Sequence, residues 1–206
     1  MYSKKEELWN VLTHGFGVAL SVAALVLLLV FQTGKSEFSL MSVLFYSVTL
    51  LFLYTASTLY HSVQQPRLKH FFRKLDHIGI YGLIAGTYTP MALISLIDGN
   101  GWLIFGIVWG IAVFGTLLKI FFTGKFEKLS LVLYLAMGWL IIFDIQNVLE
   151  IQSSLGLWLL GLGGFFYSIG TIFYVNEKIP YNHAIWHCFV LAGSISHFFF
   201  IFFDVI

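Results

Sequence analysis

Seven stretches of roughly 20 apolar residues dominate this chain, and a helix of that length crosses about 30 Å of hydrocarbon. They fall at about 11–33, 39–62, 76–97, 101–122, 129–146, 155–175 and 184–204. Only 10% of the 206 residues are charged, against about 25% in a soluble domain. The runs are continuous, whereas the strands of a membrane barrel alternate polar and apolar residues. The expected fold is therefore all-α: one domain over residues 1–206, built as a seven-helix transmembrane bundle in a cell membrane. The first run follows Lys4 and Lys5 as a signal sequence would. It is too long for one and lacks a small-residue cleavage site, so it is expected to stay as a span.

Charge placement gives an expected orientation. With the N-terminus in the cytoplasm, the inner segments hold Lys4, Lys5, Arg67, Lys69, Arg73, Lys74, Lys119, Lys125, Lys128 and Lys178, all but one of the 11 basic residues. Only Lys35 would lie outside. Positive residues favour the cytoplasmic side, so the N-terminus is expected inside and the C-terminus outside. The net charge of +1 points to no nucleic acid and to no strongly charged partner. Cys188 is the sole cysteine, which rules out an intrachain disulfide and leaves it a small packing residue.

This topology assigns a depth to each polar residue within the apolar runs. The second run ends on Ser57 and His61, the third begins with Asp76 and His77, the last begins with His183 and His187, and His14 opens the first. All fall in one layer near the cytoplasmic face. Ser57 and His61 are four residues apart, as are His183 and His187. Each pair thus shares a helix face, about 6 Å apart along the axis. Ionisable groups at such depth generally face the bundle interior and tend to be functional. Two imidazoles from one helix, a third from another and a carboxylate from a third suit zinc, copper, iron or nickel. Three protein ligands with one open position describe a catalytic rather than a closed structural zinc.

The chain resembles the hemolysin III family, the bacterial branch of the progestin and adipoQ receptor proteins, which are related to alkaline ceramidases. The resemblance rests on "ELWNVLTH" at 7–14, Ser57 and His61, "LDHIGIY" at 75–81, "GTYTP" at 86–90, and His183 with His187. It implies a zinc ion held by His61, His183 and His187, with Asp76 and Ser57 beside a zinc-bound water. It also implies hydrolysis of a lipid amide at a bacterial inner membrane, with a membrane lipid as substrate or ligand. The receptors' long cytoplasmic N-terminal extension is missing, as is any extracellular domain able to bind a protein hormone, so no protein hormone is expected as partner. In that chemistry Asp76 would orient the water or accept its proton, and Ser57 would donate to the developing oxyanion or hold the water through its hydroxyl. A metal-containing lipid sensor and a cytolytic protein are the alternative readings. Haem between facing histidines would leave Asp76 and Ser57 without a role.

Smaller expectations complete the reading. Asn10 and His14 would support the site or pack helices. His77, about 100° around the helix from Asp76, would point elsewhere, and His197 lies about 15 Å beyond the His183 layer. Pro90 would kink its helix. The glycines of "GLGGFFYSIG" would allow close packing, and the basic cluster from Arg67 to Lys74 would mark topology or meet anionic headgroups.

Overall fold

The computed structural model describes residues 2–206 and is helical throughout, with no strand among the described residues. The helices are α1 (Lys4–Phe31), α2 (Ser39–Ser62), α3 (Pro66–Pro90), α4 (Gly101–Phe122), α5 (Glu127–Gly138), α6 (Ile145–Ile151), α7 (Ser154–Val175) and α8 (Asn182–Phe200). A π turn, Met91–Ser95, extends α3, and another, Ile201–Val205, extends α8. A 3₁₀ segment, Leu140–Asp144, joins α5 to α6, so these three pieces make one span. Seven spans result, as the apolar runs predict.

Two helices start earlier than hydropathy suggests. The first begins at Lys4, not near residue 11, because Ser3 and Glu6 cap it reciprocally: Glu6 N donates to Ser3 Oγ at 3.2 Å and Ser3 N donates to Glu6 Oε2 at 2.7 Å. Such a box satisfies two otherwise orphaned donors. The third begins at Pro66 rather than Asp76. Proline suits the first helical position, where no amide donor is needed. The charged turns that follow are still helical, although their polarity hides them from a hydropathy window.

The fifth span departs from expectation most. Its α-helix ends at Gly138, in the middle of an apolar run, which frees backbone groups at membrane depth. The Tyr88 hydroxyl, from the end of α3, repairs the break. It donates to Gly138 O at 2.9 Å and accepts from Ile141 N at 3.0 Å. The expected irregularity at Pro90 is present as well, as the change from α to π winding at Met91.

In the bundle, α3 packs on α2, α4 and α5, while α1 lies against α2 and α8, and α7 lies chiefly against α8. Ser194 of α8 ties three helices together, accepting from Tyr54 Oη of α2 and meeting Tyr167 Oη of α7, both at 2.8 Å. Close approach requires small residues at these seams. A Cβ on Gly163 would overlap the His197 ring, and one on Gly115 would overlap Tyr81. The glycine-rich seventh helix thus packs tightly on α8, as expected. Cys188 does not pack: it faces out of the bundle, because α8 turns its other side, with Trp186 and His187, inward.

Candidate metal centre and lipid cavity

His61 occupies the last turn of α2, while His183 and His187 occupy the first turns of α8. The two helix ends meet, and one ring nitrogen from each histidine lies within 4.8 Å of those of the others. Ring centroids are 5.1 Å apart for His61 with His183, 5.1 Å for His61 with His187, and 4.5 Å for His183 with His187. Zinc–nitrogen bonds of about 2.05 Å in a tetrahedron place nitrogens about 3.4 Å apart, so the rings need draw in only modestly around an ion.

Hydrogen bonding leaves the required atoms free. Nε2 of His61 and Nε2 of His183 are buried with no partner among the described residues. A buried polar atom without a partner is uncommon and calls for an explanation. The Nδ1 atoms are engaged instead: His61 Nδ1 lies 2.6 Å from Glu7 Oε2, and His187 Nδ1 lies 3.2 Å from Thr13 Oγ1. The donor set, its burial and its orphaned nitrogens all fit a divalent metal ion.

Asp76 and Ser57 join the cluster from α3 and α2. Asp76 is buried, beside Ser57 and within electrostatic reach of His61. Ser57, one turn before His61, is wholly buried, and its Oγ has no hydrogen-bond partner among the described residues. The five sequence-selected residues are therefore brought to one place. His77 turns toward α5, with Nδ1 3.7 Å from Glu127 Oε1, while Arg73 and Lys119 approach the same carboxylate. His14 stays outside the trio and stacks flat on His187, with centroids 3.5 Å apart and planes at 11°. Tyr2 stacks on His183 from the outer side at 5.0 Å. Burial raises the Tyr2 phenol well above its ordinary range, with the neighbouring Tyr60 adding to the effect.

Beyond the cluster an apolar cavity opens between α3, α5, α7 and α8. Asp76, His183 and His187 lie at one end, Tyr88 and Trp139 along its wall, and His197 at the other. His187 and His197 are ten residues apart on α8, so the cavity follows the helix for about 15 Å. That is half of a hydrocarbon core about 30 Å thick, the depth of one leaflet's acyl tails. His197 does not reach the trio and accepts its predicted hydrogen-bonding role, with Nε2 3.2 Å from Leu160 O. At the membrane-facing rim, Trp139 Nε1 donates to Ser168 Oγ at 3.0 Å, bridging α5 and α7.

Sequence reasoning missed Glu7 and Thr13. Their signal was present, since Glu7, Asn10 and His14 recur at helical spacing on one face of α1, but nothing in the sequence said which neighbour that face meets.

A family model described as "Haemolysin-III related" matches residues 2–198. The chain belongs to this family. It is 45% identical over 203 residues to "Hemolysin-3" of Bacillus cereus, covering 98% of this chain and 93% of that one. It is 46% identical over 200 residues to the "Hemolysin-3 homolog" of Bacillus subtilis, covering 97% and 94%. More distantly, it is 26% identical over 199 residues to the human "Monocyte to macrophage differentiation factor", covering 92% of this chain and 80% of that one. Family and spans together make this haemolysin-III-related chain a multi-pass integral membrane protein of the bacterial plasma membrane.

Proposed function

We propose that the chain is a zinc-dependent membrane hydrolase acting on a lipid amide. The observation that supports this reading best is the position of the three histidines, with the Nε2 atoms of His61 and His183 unpartnered among the described residues, at the head of an apolar cavity whose wall carries a buried carboxylate. Ligand sites are mostly apolar with a few polar groups placed to orient the ligand. An acyl chain fits the cavity's length and lining, and its scissile carbonyl then lies beside the histidines. A zinc ion held by His61, His183 and His187 would supply a water acidified to a pKa of about 7 and a Lewis acid for the carbonyl. Asp76, buried beside the trio, takes the proton of the attacking water and returns it to the departing amine. The otherwise unpartnered Ser57 hydroxyl donates to the carbonyl oxygen as negative charge develops there. The apolar walls keep other water away from the reaction. With the N-terminus inside, the centre serves the cytoplasmic leaflet.

Two measurements test this. Metal content of purified protein is expected to be one zinc per chain, and to be lost in His61→Ala and His187→Ala; unchanged occupancy in either variant refutes the three-histidine centre. Zinc-loaded protein is then offered ceramides and other N-acylated lipids, with release of the fatty acid followed. Loss of turnover by at least 100-fold is expected in Asp76→Asn, in line with removal of a general base. A loaded protein that binds these lipids and cleaves none is a sensor rather than an enzyme. The relatives' name speaks of lysis, but an apolar cavity suits an acyl chain better than a column of water.

A further inference from the structure

Helix α1 contributes no ring to the histidine trio, yet its first three turns touch two of the three members. Glu7 Oε2 lies 2.6 Å from His61 Nδ1, and Thr13 Oγ1 lies 3.2 Å from His187 Nδ1. We propose that α1 is the tautomer-setting element of the metal centre, with Glu7 and Thr13 as positioning residues that hold His61 and His187 with Nε2 free of its proton. This inference rests on the metal reading above.

The protons can be placed one at a time. A carboxylate offers only acceptors, so the short contact to Glu7 requires the proton on His61 Nδ1. In a neutral imidazole the other nitrogen then carries the lone pair, and that atom is the buried, unpartnered Nε2. Thr13 has a single hydroxyl proton, directed at the backbone: its Oγ1 lies 2.8 Å from Trp9 O and 3.0 Å from Asn10 O. Toward His187 the hydroxyl can therefore only accept, so His187 also carries its proton on Nδ1. Asn10 fits the same scheme. Its Nδ2 lies 3.3 Å from His61 Nδ1, which would set two donors face to face, while its Oδ1 is buried with no partner among the described residues. An amide's oxygen and nitrogen are nearly indistinguishable in shape, and with the oxygen toward the ring Asn10 becomes a second acceptor for the same proton.

Glu7 is itself held. Its other oxygen accepts from Lys69 Nζ at 2.8 Å, and that ammonium also donates to Tyr60 O at 3.2 Å and sits over the Tyr60 ring. The carboxylate is thus fixed from α3 and from the end of α2 before any ion arrives. With the proton on the wrong nitrogen, either ring would present an N–H to the ion and could not ligate it until the proton moved. Partners of ligating histidines commonly set tautomer, ring orientation and basicity, and their loss costs about 10- to 100-fold in metal affinity.

The test compares Glu7→Ala, Glu7→Gln, Thr13→Val and Thr13→Ser with the parent. Zinc affinity is read by chelator competition, and the visible spectrum is recorded with Co²⁺ in place of zinc. Glutamine keeps an acceptor oxygen for His61, and serine keeps one for His187. Affinity is expected to fall about 10- to 100-fold in Glu7→Ala and Thr13→Val, with a shifted Co²⁺ spectrum. Most of it should return in Glu7→Gln and Thr13→Ser. Metal-free melting temperatures show whether α1 has merely come loose. Parent-like affinity in Glu7→Ala, or equal losses in Glu7→Ala and Glu7→Gln, would overturn the proposal. So would losses that follow the melting temperature alone. A parent chain that binds no metal would instead remove the metal reading itself, which separates the two failures.

Discussion

Replacing Tyr88 with phenylalanine isolates the one hydroxyl that closes the gap in the fifth span. The ring is buried and its shape is kept, so no cavity forms and only hydrogen bonding changes. Two backbone groups lose their partner, the carbonyl of Gly138 and the amide of Ile141. A buried polar group left unsatisfied costs about 1–3 kcal/mol. Side-chain hydrogen bonds inside membrane proteins measure lower, about 0.6 kcal/mol on average and up to about 1.7. For two bonds the expected loss is therefore about 1–3 kcal/mol, which for a chain of this size lowers the melting temperature by roughly 2–12 °C. Retained helical signal and monodisperse elution after heating in detergent measure that shift, and amide exchange at Ile141 localises it. A Tyr88→Phe protein melting within about 1 °C of the parent, with Ile141 still protected, would refute the argument that the break depends on this hydroxyl.

Gly163→Ala forces the His197 ring away from Leu160 O and is expected to cost about 1–3 kcal/mol, as overpacking does; the same thermal assay should show recovery when His197→Ala is added, and no recovery would place the strain elsewhere. Lys119 is buried against Glu127, which is partly exposed and so partly screened by solvent. Lys119→Met should therefore destabilise by about 1–2 kcal/mol, and adding Glu127→Gln should restore part of it; strictly additive losses would show that the pair is not coupled.

Helix number and the gathering of the histidines were legible because both depend on quantities a sequence carries directly: the length of apolar runs and the spacing of polar residues along a helix. His61 and His187 could be assigned to one layer from topology alone. The early start of α3 was hidden because Arg67, Lys69, Arg73 and Lys74 lower its hydropathy without weakening its helical propensity. Nothing local marks the break after Gly138, since Tyr88, which makes it tolerable, is fifty residues away in sequence. Glu7 and Thr13 escaped notice for a related reason. Their meaning depends on the rotation of α1 about its own axis, which is set by what α2 and α8 present to it. Residue type alone makes Cys188 a packing residue, since thiols are commonly buried, but on α8 the inward side is already filled by the neighbouring Trp186 and His187.

That outward thiol has a practical side. Cys188 is the chain's single cysteine, it is exposed on the bundle exterior, and its backbone adjoins a candidate ligand on the same rigid helix. A spin label or fluorophore attached there needs no cysteine-free background and touches none of the groups that gather at the centre. Recorded with and without zinc, its signal would follow the first turns of α8 as His183 and His187 close on an ion, making the native sequence its own reporter of that movement.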